Sequence, residues 1–320
     1  MYISRSIQFL KLFFDYFLNF GFFYAIKKIY FLKKGDVKGE INLLLDFLTT
    51  IFHEELENID RPTELLPPIK KHYVWSMWWQ GEESLPEVLK ICYESHKRHI
   101  ASHNNIEYVL ITQYNYKNYV EVPQYIKDKL GKKIISFTHF SDLLRVLLLE
   151  KYGGAWIDIT LFVARPIDIT MFNSSFYSIN LTDSNHSYWG VGQHLTKCQW
   201  AGFFLVSPMP HSCLFRYIKE CMLKYWKRYT YPIDYFFLNG IIRCAYLSNI
   251  KIKYYIDNVP QNNVFMYDLQ QHMNKPFDNI LFESMLADTT YFKLTQKTTY
   301  KLKCDGCDTT YSILHKQYVK

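Results

Sequence analysis

Three charged side chains fall where charge is unfavourable. In Ser141-Asp142-Leu-Leu-Arg145-Val-Leu-Leu-Leu149-Glu-Lys-Tyr152 the apolar residues leave almost no polar side to a helix, and Gly153-Gly154 follows where a left-handed cap would end it. Asp142 and Arg145 are three apart and share a face of that helix. Such a pair either satisfies itself or holds a ligand carrying hydroxyls or phosphates. After the glycines, Ala155-Trp-Ile-Asp158-Ile-Thr160-Leu-Phe-Val163 reads as an apolar β run with one carboxylate at its middle. Residues two apart on a strand point the same way, so Asp158 and Thr160 form a pair of oxygen ligands. They suit a divalent metal, Mg²⁺ or Mn²⁺, that joins a carboxylate to a substrate diphosphate. The plainer alternative is a buried Asp tied to a neighbouring backbone N–H.

The elements that must present these groups alternate. A β-like run at Lys70–Trp75 precedes a helix from Pro86 to about His99, a strand at Glu107–Thr112, a helix from near Pro123, and then the Asp142 helix and the Asp158 strand. This order predicts an α/β fold with a mainly parallel sheet between helices, in which ligands gather at the carboxyl ends of the strands. Upstream, the acidic stretch Ile41–Glu64 reads as a helix, and Pro62, Pro67 and Pro68 interrupt the chain. The expected division is an N-terminal helical segment, residues 1–66, and a core domain, residues 67–320.

The 320 residues are 49% apolar and 21% charged, which excludes disorder as the main state. Aromatic residues reach 18%, and the formal net charge is +7. No basic stripe or tail of the kind nucleic-acid binders carry is visible, so nucleic acid is not an expected partner. Instead, seven cations (Arg5, Lys11, Lys27, Lys28, Lys33, Lys34, Lys38) meet three anions (Asp15, Asp36, Glu40) in the first forty residues, beside the most apolar stretch of the chain. Lys11, Asp15, Asn19 and Lys27 interrupt that stretch, so it predicts neither a spanning helix nor a signal peptide. Gln8, Lys11, Asp15 and Asn19 make one narrow polar stripe on an otherwise apolar helix. That helix either packs on the domain or lies on an anionic membrane surface. The seven scattered cysteines fit a reducing, cytosolic compartment, and Cys304-Asp-Gly-Cys307 lacks a second half-site for zinc.

The string Ser141-Asp142-Leu-Leu-Arg145 … Tyr152-Gly153-Gly154-Ala-Trp156-Ile-Asp158-Ile-Thr160 resembles the signature of the bacterial capsular polysaccharide synthesis glycosyltransferases, relatives of glycosyltransferase family thirty-two and of the sugar-binding region of clostridial glucosylating toxins. Trp75-Ser-Met-Trp78-Trp79-Gln80-Gly81-Glu82-Glu83, Cys92-Tyr-Glu-Ser95, Asp234-Tyr-Phe and Lys293-Leu-Thr-Gln-Lys297 agree in order, so the likeness runs from about residue 68 to 300. It implies a GT-A fold and transfer of a sugar, with retention of configuration, from a nucleotide-sugar donor to a growing surface polysaccharide on a lipid-linked oligosaccharide acceptor. The apolar N-terminal helix with its following lysines adds the expected location, cytoplasmic and peripheral at the inner face of the cell membrane. On this resemblance Trp75, Trp78, Gln80 and Gly81 flank the nucleotide, Asp142, Arg145 and Gly154 lie on the donor-sugar side, and Lys293 and Lys297 approach the diphosphate. Asp158 takes the first D-x-D position with the metal. Thr160 stands where the wider superfamily has its second Asp, which weakens the metal site and leaves Lys293, Lys297 or Arg145 as alternative cations.

Other constellations carry less. Asp234, before a helix, is either that helix's N-cap or an acceptor-side carboxylate acting in catalysis alongside Asp158 and Arg145. Gly190 and Gly192 read as a loop near the acceptor, and His72, His139, His186, His194 and His211 show no ligand spacing. The P-loop, G-x-S-x-G and H-E-x-x-H patterns are missing from the sequence. The alternatives to a glycosyltransferase are a sugar-phosphate transferase on the same site and a catalytically silent glycan-binding or scaffold protein.

Overall fold

A computed structural model describes residues 5–61, 71–101, 103–182 and 190–319. The expected boundary between residues 66 and 67, the Pro62, Pro67 and Pro68 breaks, His186 and most of the loop before Gly190 lie outside them. The chain opens with four helices, α1 (Arg5–Phe20), α2 (Phe22–Lys34), α3 (Val37–Ile51) and α4 (His53–Glu57). Then β1 (His72–Met77), α5 (Glu87–His99), β2 (Ile106–Ile111), α6 (Gln124–Gly131) and α7 (Phe137–Tyr152) follow in the predicted alternation. They lead to β3 (Gly154–Ile157) and β4 (Leu161–Val163), then β5 (Tyr177–Ser178), α8 (Val191–Thr196), β6 (Phe204–Ser207), α9 (Cys213–Arg228) and α10 (Phe237–Ser248). Strand β7 (Tyr291–Lys293) and a C-terminal helix, Thr310–Tyr318, come last.

The central sheet has the order β2-β1-β3-β6-β5, with β1 parallel to both β2 and β3 and with β6 antiparallel to both β3 and β5. Four of its strands therefore run one way and β6 is reversed, a mixed sheet that is parallel in the main. Sequence order turns back between β1 and β3, and at such a switch point the loops leaving neighbouring strands diverge and open a crevice. Two glycines make the close approach there. Gly153 ends α7 with φ 68°, and Gly154 follows with φ 89° against Tyr73 of β1, where a Cβ would stand 2.1 Å from the Tyr73 carbonyl oxygen. Only glycine fits both demands.

Helices cover both faces. Trp75, Trp156 and Leu205 pack toward α7, α9 and α10, while Val74, Ala155 and Val206 pack on the opposite side with Ile100 at the end of α5. The N-terminal segment shares the first of these cores, since Tyr16, Tyr24, Leu44, Leu48 and Phe52 join the same cluster as Trp75 and Trp226. A Cβ on Gly240 of α10 would touch Leu48 at 2.8 Å, which shows how closely α3 sits on that helix. The apolar stretch read as one helix is broken at Gly21, whose φ of 87° no β-carbon tolerates well, and α1 and α2 fold back on each other. None of the described helices is long and apolar enough to cross a membrane.

Candidate active site

A cavity of about 670 Å³ opens at the switch point, within the ~300–1,000 Å³ usual for small-molecule sites. The β1 loop supplies Trp78, Trp79 and Gln80, α7 supplies Ser141 and Arg145, and the turn after β3 supplies Asp158 and Thr160. The far wall is Lys293 to Lys297, following β7. Strand pairing places that wall: Leu161 of β4 stands opposite Lys293 of β7, and the Leu294 N–H donates to the Thr160 carbonyl at 2.9 Å. Buried His96 fixes the same turn from behind, its Nε2 lying 2.6 Å from the Leu161 carbonyl and its Nδ1 3.0 Å from the Tyr108 hydroxyl.

Asp158 is the centre of the polar network. Oδ1 accepts from the Trp156 indole at 2.8 Å and from Arg145 at 3.2 Å, and Oδ2 accepts from the Lys293 ammonium at 3.1 Å. Burial alone would raise its pKa, but Lys293, Arg145 and the Trp156 N–H outweigh burial and hold it below the usual carboxylate value. Arg145 is itself pinned. Its guanidinium lies 4.8 Å from the Trp156 ring centroid, donates to the Gly202 carbonyl and ion-pairs with Asp142 at 3.2 Å, while its buried Nε has no hydrogen-bond partner. Asp142 does not line the cavity. It is buried behind Arg145, and desolvation raises its pKa against the pull of Arg145 and His139. Two carboxylates and two cations thus leave the network near neutral before any ligand enters.

The Lys293 ammonium also lies 2.6 Å from the Thr160 hydroxyl, so it bridges the two oxygen ligands expected for a metal. A divalent ion bound by Asp158 and Thr160 would have to share one carboxylate with Arg145 and stand against Lys293. No group of three or more His, Cys, Asp or Glu side chains converges among the described residues to add ligands. Lysine thus stands between the two oxygens to which the D-x-D likeness assigns a metal, Mg²⁺ or Mn²⁺, and these two residues alone offer such an ion one carboxylate and one hydroxyl.

The sequence model of the capsular polysaccharide synthesis proteins matches residues 25–314. The chain belongs to that family. Membership ties it to the making of capsular polysaccharide, and the match starts within α2, upstream of the motifs that carried the resemblance. Neither a curated protein nor a solved structure matches it.

In this capsular polysaccharide synthesis protein the expected residues separate into two groups. Trp78, Gln80, Arg145, Asp158, Thr160, Lys293 and Lys297 converge on the cavity. Trp75 does not. It is fully buried, its indole donates to the Gly153 carbonyl at 3.2 Å, and it stacks on Tyr73 with ring centroids 4.6 Å apart. Gly154 serves the contact between β1 and β3, and Gly81, at φ 97°, makes the turn behind Gln80 without lining the cavity. Asp234 also turns away. Oδ1 accepts from the Phe236 N–H at 2.9 Å and Oδ2 faces Lys28 of α2 at 3.4 Å, so the loop presents Tyr235 to the cavity instead. Residues the sequence reading missed are Tyr235, Ser141, Trp156 and the pair Gln270-Gln271. Ser141 and Trp156 stood inside the quoted motif, but nothing in the sequence marked the glutamines.

Proposed function

We propose that this protein is a glycosyltransferase of the GT-A type, moving a sugar from a nucleotide-sugar donor to a growing, lipid-linked capsular polysaccharide. One observation carries the reading. A carboxylate at the carboxyl end of a switch-point strand is clamped between Arg145 and Lys293, with Lys297 exposed beside it on the cavity wall. Transfer breaks the bond between the anomeric carbon and the donor diphosphate, and negative charge develops on the leaving phosphate. Lys293 and Lys297 meet that charge, and Asp158, itself held by Arg145, fixes Lys293. Trp78 and Trp79 offer flat faces to the base and to sugar C–H groups.

The proposal includes retention of the anomeric configuration, and the carboxylates of the cavity support it. Asp158 is the one carboxylate among the described residues lining the cavity, and its two ion pairs make it a poor base. An inverting path needs a base to take the acceptor proton. Here the leaving phosphate is left to take it, on the face where the acceptor enters. The test is incubation with a panel of nucleotide sugars, reading release of nucleoside diphosphate, followed by NMR of the product's anomeric centre. Donors all left intact would refute transfer, and an inverted product would refute the proton route.

A further inference from the structure

The hairpin of α1 and α2 presents two faces of different character. Its inward residues are Tyr16 and Phe20 of α1 and Tyr24 and Lys28 of α2, each pair four apart on one face of its own helix. Tyr16 packs on Tyr231 with centroids 5.5 Å apart, and Phe20 and Tyr24 pack on Phe47 of α3 at 5.3 and 5.2 Å. The outward face is exposed. Nine of the nineteen large hydrophobic side chains exposed on the described chain lie between Ile7 and Tyr30, with Leu18 77% and Phe23 81% exposed. Leu10, Phe14 and Leu18 of α1 and Phe22, Phe23 and Ile26 of α2 make this one continuous apolar surface, joined across the bend by the Phe17–Phe22 ring contact at 6.4 Å.

Charge decides what covers it. Lys11, Lys27, Lys33 and Lys34 are exposed around the patch, against the half-buried Asp15 as the only carboxylate of the two helices. Lys33 reaches across to the Phe9 ring at 5.3 Å, which keeps its ammonium beside the apolar surface. A second copy of the chain, meeting this face about a two-fold axis, would set these lysines against the same lysines. An anionic lipid surface would neutralise them while taking the aromatic side chains between its headgroups. We propose that the α1–α2 hairpin lies flat on an anionic membrane and seats the protein there.

The hairpin is fastened to the cavity side of the molecule. Lys28, 4% exposed, ion-pairs with Glu40 at 2.8 Å and Asp234 at 3.4 Å, and the Tyr16 hydroxyl donates to the Ile233 carbonyl at 3.3 Å. The residue after Asp234 is Tyr235, in the cavity wall. Docking therefore fixes the height of the cavity above the lipid, where a lipid-linked acceptor would present its sugar. That last consequence rests on the proposed transferase reading, whereas the docking does not.

Vesicle flotation of the full-length protein tests it without donor or turnover, so failure here leaves the transferase reading standing. Phosphatidylcholine vesicles and vesicles mixed with phosphatidylglycerol are compared at low and high salt. The protein is expected to float with the phosphatidylglycerol mixture and to be released by salt. Each lysine changed to glutamine at 27, 33 or 34 should weaken binding about fivefold. Phe22→Ser with Phe23→Ser should weaken it by about tenfold or more per ring. Both rings are solvent-exposed, so an unchanged thermal melt will show the variant folded. Failure to float on any vesicle, equal binding to both compositions, or unchanged flotation of the double variant would overturn the proposal. So would a dimer in solution that the double variant dissociates, because a second copy would then cover the patch.

Discussion

Replacing Lys293 by alanine tests whether an amino-acid side chain holds the cation's position in this site. The ammonium lies 3.1 Å from Asp158, 2.6 Å from Thr160 and 4.2 Å from the centroid of the Phe203 ring. A unit charge about 4 Å from a phosphate charge, at an effective dielectric near 20, interacts by about 4 kcal/mol. Nucleoside diphosphate release should accordingly fall by roughly 10²–10³-fold in Lys293→Ala, the loss usual when one stabilising donor is removed from an active site. Lys297 is exposed, so Lys297→Ala should lose only about tenfold, in line with a solvent-screened charge.

Chelation separates this account from a metal site. The wild-type protein should keep its turnover in excess EDTA. Lys293→Ala vacates the space between the Asp158 and Thr160 oxygens, and it should recover part of its rate when Mn²⁺ is added. Two results would refute the reasoning: wild-type activity abolished by EDTA and restored by Mn²⁺, or undiminished turnover in Lys293→Ala.

Four further outcomes are expected. Asp158→Ala should abolish nucleoside diphosphate release while leaving the thermal melt cooperative, and full turnover in that variant would remove Asp158 from the site. Gly154→Ala should destabilise by about 3 kcal/mol or more, because the residue sits at φ 89° with its Cβ direction closed by the Tyr73 carbonyl; urea melts check it. Lys28→Met should cost about 3 kcal/mol by leaving Glu40 and Asp234 mostly buried and unpaired, again read from urea melts. Burial lowers the His96 pKa from 6.5 to about 4, so the fold favours the neutral ring. Its contribution is complete above pH 6.5 and is lost as pH falls toward 4, amounting to about 2 kcal/mol lost at pH 5. His96→Gln should flatten that dependence.

The order of the core elements was legible because each carries its own period. Strand-like runs at β1, β2 and β3 alternate with helices whose starts and stops are marked by Pro86, Pro123 and Gly153. The reversed strand β6 was not legible. It has four residues, all buried, and a short apolar run carries no sign of its direction. The bend at Gly21 was missed for a related reason. One glycine in an apolar helix is tolerated, and only packing of both arms on Phe47 and Tyr231 makes it a corner.

The site divides along the same line. Asp142, Arg145, Asp158 and Thr160 lie within nineteen residues, so local spacing was enough to group them. What spacing cannot supply is the partner from far along the chain. Lys293 is 135 residues from Asp158, and Lys28 is 206 residues from Asp234. The first of these long-range contacts sets a lysine between the two oxygens expected to hold a metal, and the second ties Asp234 to the N-terminal hairpin. Trp75 was misplaced by a different physical oversight. A strand rises about 3.3 Å per residue, and β1 runs on to Met77 before the chain reaches the cavity, so Trp75 is too deep in the sheet to meet a ligand at its carboxyl end while Trp78 and Trp79 are not. The aromatic abundance therefore has three structural destinations: a core under the sheet, a wall of the cavity, and an outward face on α1 and α2 that no part of the described chain covers.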